Sequence, residues 1–194
     1  MELIETSPVP VSALPIAPLR EHLRLSSGFA DDTTQDGLLE QYLRAAIARV
    51  EGCIARALLL RDFTWRLARW RDGYAQRLPI APVAALHGVV LIDRAGAETP
   101  VAADRIRLET DSARPRLVAA GSALPAIPSG GAVRIAFSAG FGPAWDDIPG
   151  DLRQAVLALA AQYYESRDSG GADPDFAIAA LLEPWRDLRL GGGA

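Results

Sequence analysis

Residues 32–67 read DTTQDGLLEQYLRAAIARVEGCIARALLLRDFTWRL, and the period of their apolar residues changes partway along. Asp32 can cap a helix N-terminus, with Gln35 three residues on in capping-box position. Leu39, Leu43, Ile47, Val50, Ile54 and Leu58 then recur at helical spacing, with Arg44, Arg49, Glu51 and Arg56 largely between them. Ala45, Ala46, Ala48 and Ala55 allow close packing. The spacing predicts a long amphipathic helix from about 34 to 60. From Asp62 the period becomes two: Phe63, Trp65 and Leu67 alternate with Thr64, Arg66 and Ala68, as in a half-buried strand.

On the N-terminal side, residues 1–16 carry Pro8, Pro10 and Pro15 and read as an extended arm, ordered only if something binds it. Residues 17–25 suit a short helix with Pro18 in its first turn and Leu19 and Leu23 on one face. Beyond the switch, 78–83 is extended and, with two prolines, suits only a sheet edge. Strands are expected over 88–92, 105–109, 116–119 and 132–138, with a turn at Asp93–Gly96. Five or six antiparallel strands result. Helix returns at Asp147–Asp151, with Pro149 in the first turn and Leu152, Val156, Leu159 and Tyr163 as its stripe. Asp173-Pro174 opens a shorter helix carrying Phe176, Ile178, Leu181 and Leu182, which Pro184 kinks or ends.

The expected fold class is α+β: a helical bundle with a small antiparallel β-unit inserted in it. The arm spans 1–16 and a single domain spans 17–168, with helices in 17–60 and 148–168 around a β-unit at 62–142. A C-terminal helix and flexible tail occupy 172–194.

Composition closes several chemistries. The chain has 194 residues, 49% of them hydrophobic and 23% charged, which suits a soluble globular domain. Its net charge of -4 does not suit a generally basic nucleic-acid binder. All 20 basic residues are Arg, and Lys and Asn are both absent. Schiff-base chemistry and a P-loop lysine are therefore excluded. A GC-rich coding genome explains both absences. Cys53 is alone, so neither an internal disulfide nor a Cys cluster can form. Residues 1–18 lack the basic and apolar regions of a signal peptide, and no stretch has the length of a membrane span. The expected site of synthesis and assembly is the cytoplasm.

Candidate chemistry is sparse. His22 and His87 are the only histidines, and neither lies in a ligand-spaced motif. Gly140-Phe141-Gly142 follows a strand but lacks the third glycine of a dinucleotide loop, so it reads as a Gly-rich turn or bulge. Asp31/Asp32 and Asp146/Asp147 precede helices, where capping and the dipole account for them. No catalytic residue, metal ligand or cofactor site is expected. Two contact features stand out. Trp65, Arg66, Arg69 and Trp70 interleave bases with aromatics, as single-stranded nucleic-acid surfaces do and as an amphipathic strand also would. Trp185, Arg186, Leu188 and Arg189 place hot-spot residue types beside a chain end, although a helix folded back on its own core fits equally well.

The order of the pieces resembles a known family. The helix ending His22-Leu23-Arg24 leads through an Asp-rich turn to the Leu38-Leu39 helix, then to Thr64-Trp65-Arg66-Leu67, Leu78–Val83 and the Asp93–Gly96 turn. Phe137–Gly142 leads into Ile148–Ala155, and Tyr163–Arg167 and Leu181–Arg186 complete the pattern. Over roughly 17–190 the chain resembles the head–tail connector (adaptor) family of long-tailed phages and gene transfer agents. No single motif carries the likeness; order and spacing do.

The resemblance implies a non-enzymatic virion protein at the head–tail junction, in a ring of about twelve subunits built from heterologous contacts. It implies as partners a portal protein above, a further connector, stopper or tail terminator below, and double-stranded DNA passing without sequence-specific binding. It also implies portal contact through the C-terminal segment, hence Trp185, Arg186, Leu188 and Arg189. Trp65, Arg66, Arg69 and Trp70 would then face a neighbouring subunit or ring. The rival reading is a packaging accessory protein that binds nucleic acid through Trp65–Arg71, with affinity falling steeply as salt rises.

Overall fold

The computed structural model describes residues 2–25, 33–166 and 174–186. Asp31, Asp32, Leu188 and Arg189 lie outside the described residues. The class is α+β, and the chain divides into two compact units. Met1–Val9 and Leu59–Pro143 form a β-unit; Pro10–Leu58 and Ala144–Ala194 form a helical unit.

In the helical unit, α1 (Ile16–His22) has Pro18 in its first turn and buries Leu19. Arg20 of α1 pairs with Asp36 of α2 (Thr33–Ile54). The apolar stripe of α2 is buried through Leu39, Leu43, Ile47, Val50 and Ile54, as its spacing requires. The helix stops at Ile54 rather than near 60, because Ala55 turns to φ 54°. The Glu51 side chain then accepts the Leu58 N–H at 2.7 Å. Leu58 is buried all the same, so the i,i+4 spacing outruns the helix that generates it.

Helix α3 (Gly150–Glu165) follows Pro149 and carries Asp151 in its first turn. It buries Leu152, Val156 and Leu159, each contributing about 1.5–3 kcal/mol by transfer from water. It packs against α1, α2 and α4 (Phe176–Leu182). Tyr42 of α2 meets Tyr164 of α3 edge to face, centroids 6.1 Å apart. Ile178 and Leu182 seat α4, and Pro184 lies in the single 3-10 turn Glu183–Trp185 that ends it.

The β-unit holds eight strands among the described residues, not five or six, in two antiparallel sheets. One has the order β1 (Glu2–Glu5), β2 (Arg61–Leu67), β8 (Ala132–Ala139), β4 (Val83–Ile92), β5 (Glu98–Pro100), and the other β3 (Ala75–Arg77), β7 (Arg116–Ala119), β6 (Ile106–Glu109). Strand β2 (Arg61–Leu67) pairs with β8 (Ala132–Ala139), placing Phe63 opposite Phe137, Trp65 opposite Ile135 and Leu67 opposite Val133. All six are buried, and the two Phe rings stack with centroids 5.7 Å apart.

The expected strand at 88–92 is the second half of β4 (Val83–Ile92), which begins earlier and carries two register shifts. Ala81-Pro82 is cis, and of the stretch 78–83 only Val83 enters a strand. Strands β6 (Ile106–Glu109) and β7 (Arg116–Ala119) form where the alternation placed them. Strands β3 (Ala75–Arg77) and β5 (Glu98–Pro100) are additional. The stretch 1–16 is not a single arm. Strand β1 (Glu2–Glu5) is extended but pairs with β2, and Val11–Ala13 forms a 3-10 turn in the helical unit.

Candidate functional site

The four residues read as one aromatic–arginine surface do not share one. Period two sends Trp65 inward, where it is 2% exposed, and Arg66 outward. Arg66 lies between Glu2 and Arg134 in register. Arg134 is itself held by Glu98 through bonds of 2.7 and 2.5 Å. That pairing raises the guanidinium's pKa and lowers the carboxyl's. Arg69 is exposed beyond the strand, while Trp70 is half-buried and donates its indole N–H to the Pro125 carbonyl at 2.8 Å. A stacking platform for bases needs exposed rings. Trp65 offers none, which removes the structural basis of the nucleic-acid reading at Trp65–Arg71.

The tail residues behave differently. Trp185 is half-buried within its own helical unit. Its indole N–H donates to Asp151 Oδ2 at 2.6 Å, and the Arg56 guanidinium lies 5.3 Å from its ring centroid. The chain just after α2, the first turn of α3 and the turn after α4 thereby meet on one ring. Arg186 follows, exposed, with a 3.3 Å contact to Glu183. The fold-back geometry therefore holds for the indole, and Arg186 is the described tail residue that faces outward.

Sequence reasoning missed three arrangements. Asp62, Ser138 and His87 converge on the β-unit: the Ser138 hydroxyl donates to Asp62 Oδ1 at 2.7 Å, and His87 Nε2 contacts both. The Ser138 bond, then His87, holds the Asp62 carboxyl below its ordinary range. The signal was the cross-strand register of Asp62 with Ser138, which cannot be read before pairing is known. The trio is no hydrolytic relay, since Asp62 engages the hydroxyl and not the far ring nitrogen of His87. Phe176, expected in an apolar stripe, is 90% exposed while Ile178 and Leu182 of the same helix are buried. The third is the exposed arginines of the small sheet, hidden because β3 is too short to read.

Gly140 of the Gly140-Phe141-Gly142 turn has φ 139°, and a Cβ there would lie 2.5 Å from the Leu59 carbonyl. The Gly142 carbonyl accepts the Leu60 N–H at 2.8 Å, and Gly140 is the position whose missing Cβ lets backbone approach backbone. A cavity of about 160 Å³ lined by Leu86, Val89, Val101 and Ile106 is small beside ordinary ligand sites. Among the described residues no group of three or more His, Cys, Asp or Glu side chains is placed to hold a metal. No described helix is long and apolar enough to cross a membrane.

Among the described residues, exposed charge and the outward rings of Tyr74 and Phe176, with the indoles buried or half-buried, are features of a protein that acts through contact surfaces. No protein-family model and no curated protein matches the chain. Solved structures do. A chain in the neck of an empty gene transfer agent particle, computed with C6 symmetry, is 53% identical, with TM-score 0.92. A chain of the native gene transfer agent virion is 54% identical, with TM-score 0.89. A chain in the native neck computed with C12 symmetry is 51% identical, with TM-score 0.87. Each match covers 100% of this chain and 99% of the other. The chain belongs to the head–tail connector family of gene transfer agents, and it is a structural virion protein of the particle neck rather than an enzyme.

Proposed function

We propose that the protein is the adaptor of the head–tail junction: a twelve-membered ring seated under the portal, extending the DNA channel and giving the next connector or tail component its docking platform. The observation that carries this is the end-to-end likeness to neck chains at 51–54% identity, one of them in a neck computed with C12 symmetry. The four helices act as one bundle carrying the β-unit as an insertion, and two different faces of the subunit meet around the ring.

Portal contact is assigned to the C-terminal segment, with Arg186 and, beyond the described residues, Leu188 and Arg189 as the touching groups. Trp185 fixes where that segment leaves the helical unit, since Asp151 and Arg56 hold its ring. Arg66 and Arg69 face a neighbouring subunit or ring. A producing cell lacking this chain should accumulate DNA-filled heads and separate tails, and restoring the chain should restore joined particles. Joined, infectious-length particles from the deletion strain would overturn the adaptor role.

A further inference from the structure

The small sheet carries its charge on one face. Its order is β3-β7-β6, and the register sets Arg77 beside Arg116 and Arg116 beside Glu109. One row away on the same face stand Ala75, Val118 and Arg107. The opposite face holds Gln76 and Leu117, both buried. Arg105 directly precedes β6, and its carbonyl accepts the Ala120 N–H at 3.0 Å, which extends the ladder by one pair. Arg77, Arg105, Arg107 and Arg116 are all exposed. Glu109 pairs with Arg116 at 2.7 Å, while Arg105 and Arg107 have no ion pair among the described residues. Asp104 adjoins Arg105, and Arg77 donates to the Ala113 carbonyl at 3.4 Å in the loop that carries Asp111.

We propose that this face holds the phosphate backbone of double-stranded DNA. Guanidinium forks match phosphate oxygens two by two. A protein partner would want an apolar anchor at the centre of the contact. Val118 in the middle of this face is 2% exposed and offers no such anchor, so the exposed side chains of the face are its arginines. The chain has no Asn, and Gln76 is buried on the opposite face, so no amide on this face reads a base edge. The arginines are assigned to phosphate oxygens, which every sequence shares, and a contact made to phosphates alone is indifferent to sequence. That the polyanion is a duplex rests on the reading of the chain as part of the DNA conduit; the charge arrangement stands without it.

Four phosphate contacts give a slope of log affinity on log salt of about −3.6. Non-specific binders of this kind have dissociation constants of about 10⁻⁴–10⁻⁶ M at physiological salt, loose enough for DNA to slide. The free subunit is then a weak duplex binder, where the adaptor role alone gives no reason for any affinity.

The test is fluorescence anisotropy of a labelled mixed-sequence duplex titrated with the full chain at several salt concentrations. Wild type should bind at low salt with that slope and equal affinity for AT-rich and GC-rich duplexes. The Arg105→Ala/Arg107→Ala variant should lose about tenfold in affinity at low salt and about 1.8 from the slope. The Arg105→Lys/Arg107→Lys variant should recover most of both, and Glu109→Gln should bind more tightly than wild type. Circular dichroism checks that each variant is folded. No wild-type binding at low salt overturns the proposal, as does an alanine variant with unchanged affinity and slope. In parallel, each variant is mixed with the portal. An alanine variant that loses the duplex but still joins the ring supports the proposal. One that loses the ring as well assigns the face to subunit contact and overturns it. Failure of wild type to join the portal strikes the adaptor reading alone.

Discussion

Replacing Trp185 separates the two things its ring does. Trp185→Phe keeps an aromatic face for Arg56 but removes the donor that reaches Asp151 Oδ2 at 2.6 Å. A hydrogen bond to a charged group contributes about 1.5–3 kcal/mol when buried. Here the site is half-buried, and water recovers part of it, leaving about 1 kcal/mol. Trp185→Ala also loses the cation–π contact, about 0.5–1 kcal/mol. It loses roughly 100 Å² of buried aromatic surface as well, about 2.5 kcal/mol at 25 cal/mol/Å². The alanine variant should therefore fall about 4 kcal/mol below wild type, and the phenylalanine variant about 1. Urea unfolding followed by far-ultraviolet circular dichroism reads the order from the transition of the helical unit. Equal stability of the two variants, or no loss in either, would refute the clamp. In portal pull-down at a temperature where both variants are folded, Trp185→Phe should attach and Trp185→Ala should not, because only alanine frees the segment after residue 185.

Three further outcomes follow from the same geometry. Gly140→Ala combines φ 139° with a Cβ placed 2.5 Å from Leu59 backbone, so it should cost more than about 2 kcal/mol and lower the melting temperature by calorimetry; an unchanged melting temperature refutes the close approach. Ser138→Ala should raise the titration midpoint of Asp62 toward the ordinary carboxylate range in side-chain carbonyl NMR, since the Ser138 hydroxyl is the largest cause of its depression. The sign is that of a depressed acid: its stabilisation is complete above the unfolded pKa of about 3.9 and is lost as pH falls through the lower folded value, so Ser138→Ala narrows the gap between variant and wild type at strongly acid pH. Phe176→Ser should leave the unfolding free energy within about 0.5 kcal/mol of wild type in urea titration, because a ring 90% exposed loses almost no burial, and a large drop would show that the ring is packed in solution.

The legible parts of the fold are those whose periodicity is long and uninterrupted. The stripe of α3 and the alternation of β2 against β8 put the right residues inward, since burial on one face is what writes a period into a sequence. Strands β3 and β5 have three residues each, and all of β5 is exposed, so no alternation marks them. The front of β4 follows a proline pair and contains two register shifts, which erase the period locally. The end of α2 was misread because Leu58 reaches the core from non-helical backbone, while Ala55 takes a left-handed conformation that no glycine announces.

The surfaces were harder to read than the core. Residue type marked Trp65 and Trp185 as notable, but strand parity buries the first, and Asp151 from a distant element claims the second. The arginine face depends on three strands brought together by register, so no local stretch displays it. The Asp62–Ser138–His87 cluster is invisible for the same reason.

Electron microscopy of this protein mixed with the portal of the same particle tests the central claim most directly. The adaptor account expects a ring of added density beneath the portal, with twelve subunits, each fitted by this fold and with the segment after Trp185 reaching toward the portal. A portal that stays bare while both proteins are folded and at high concentration would contradict it.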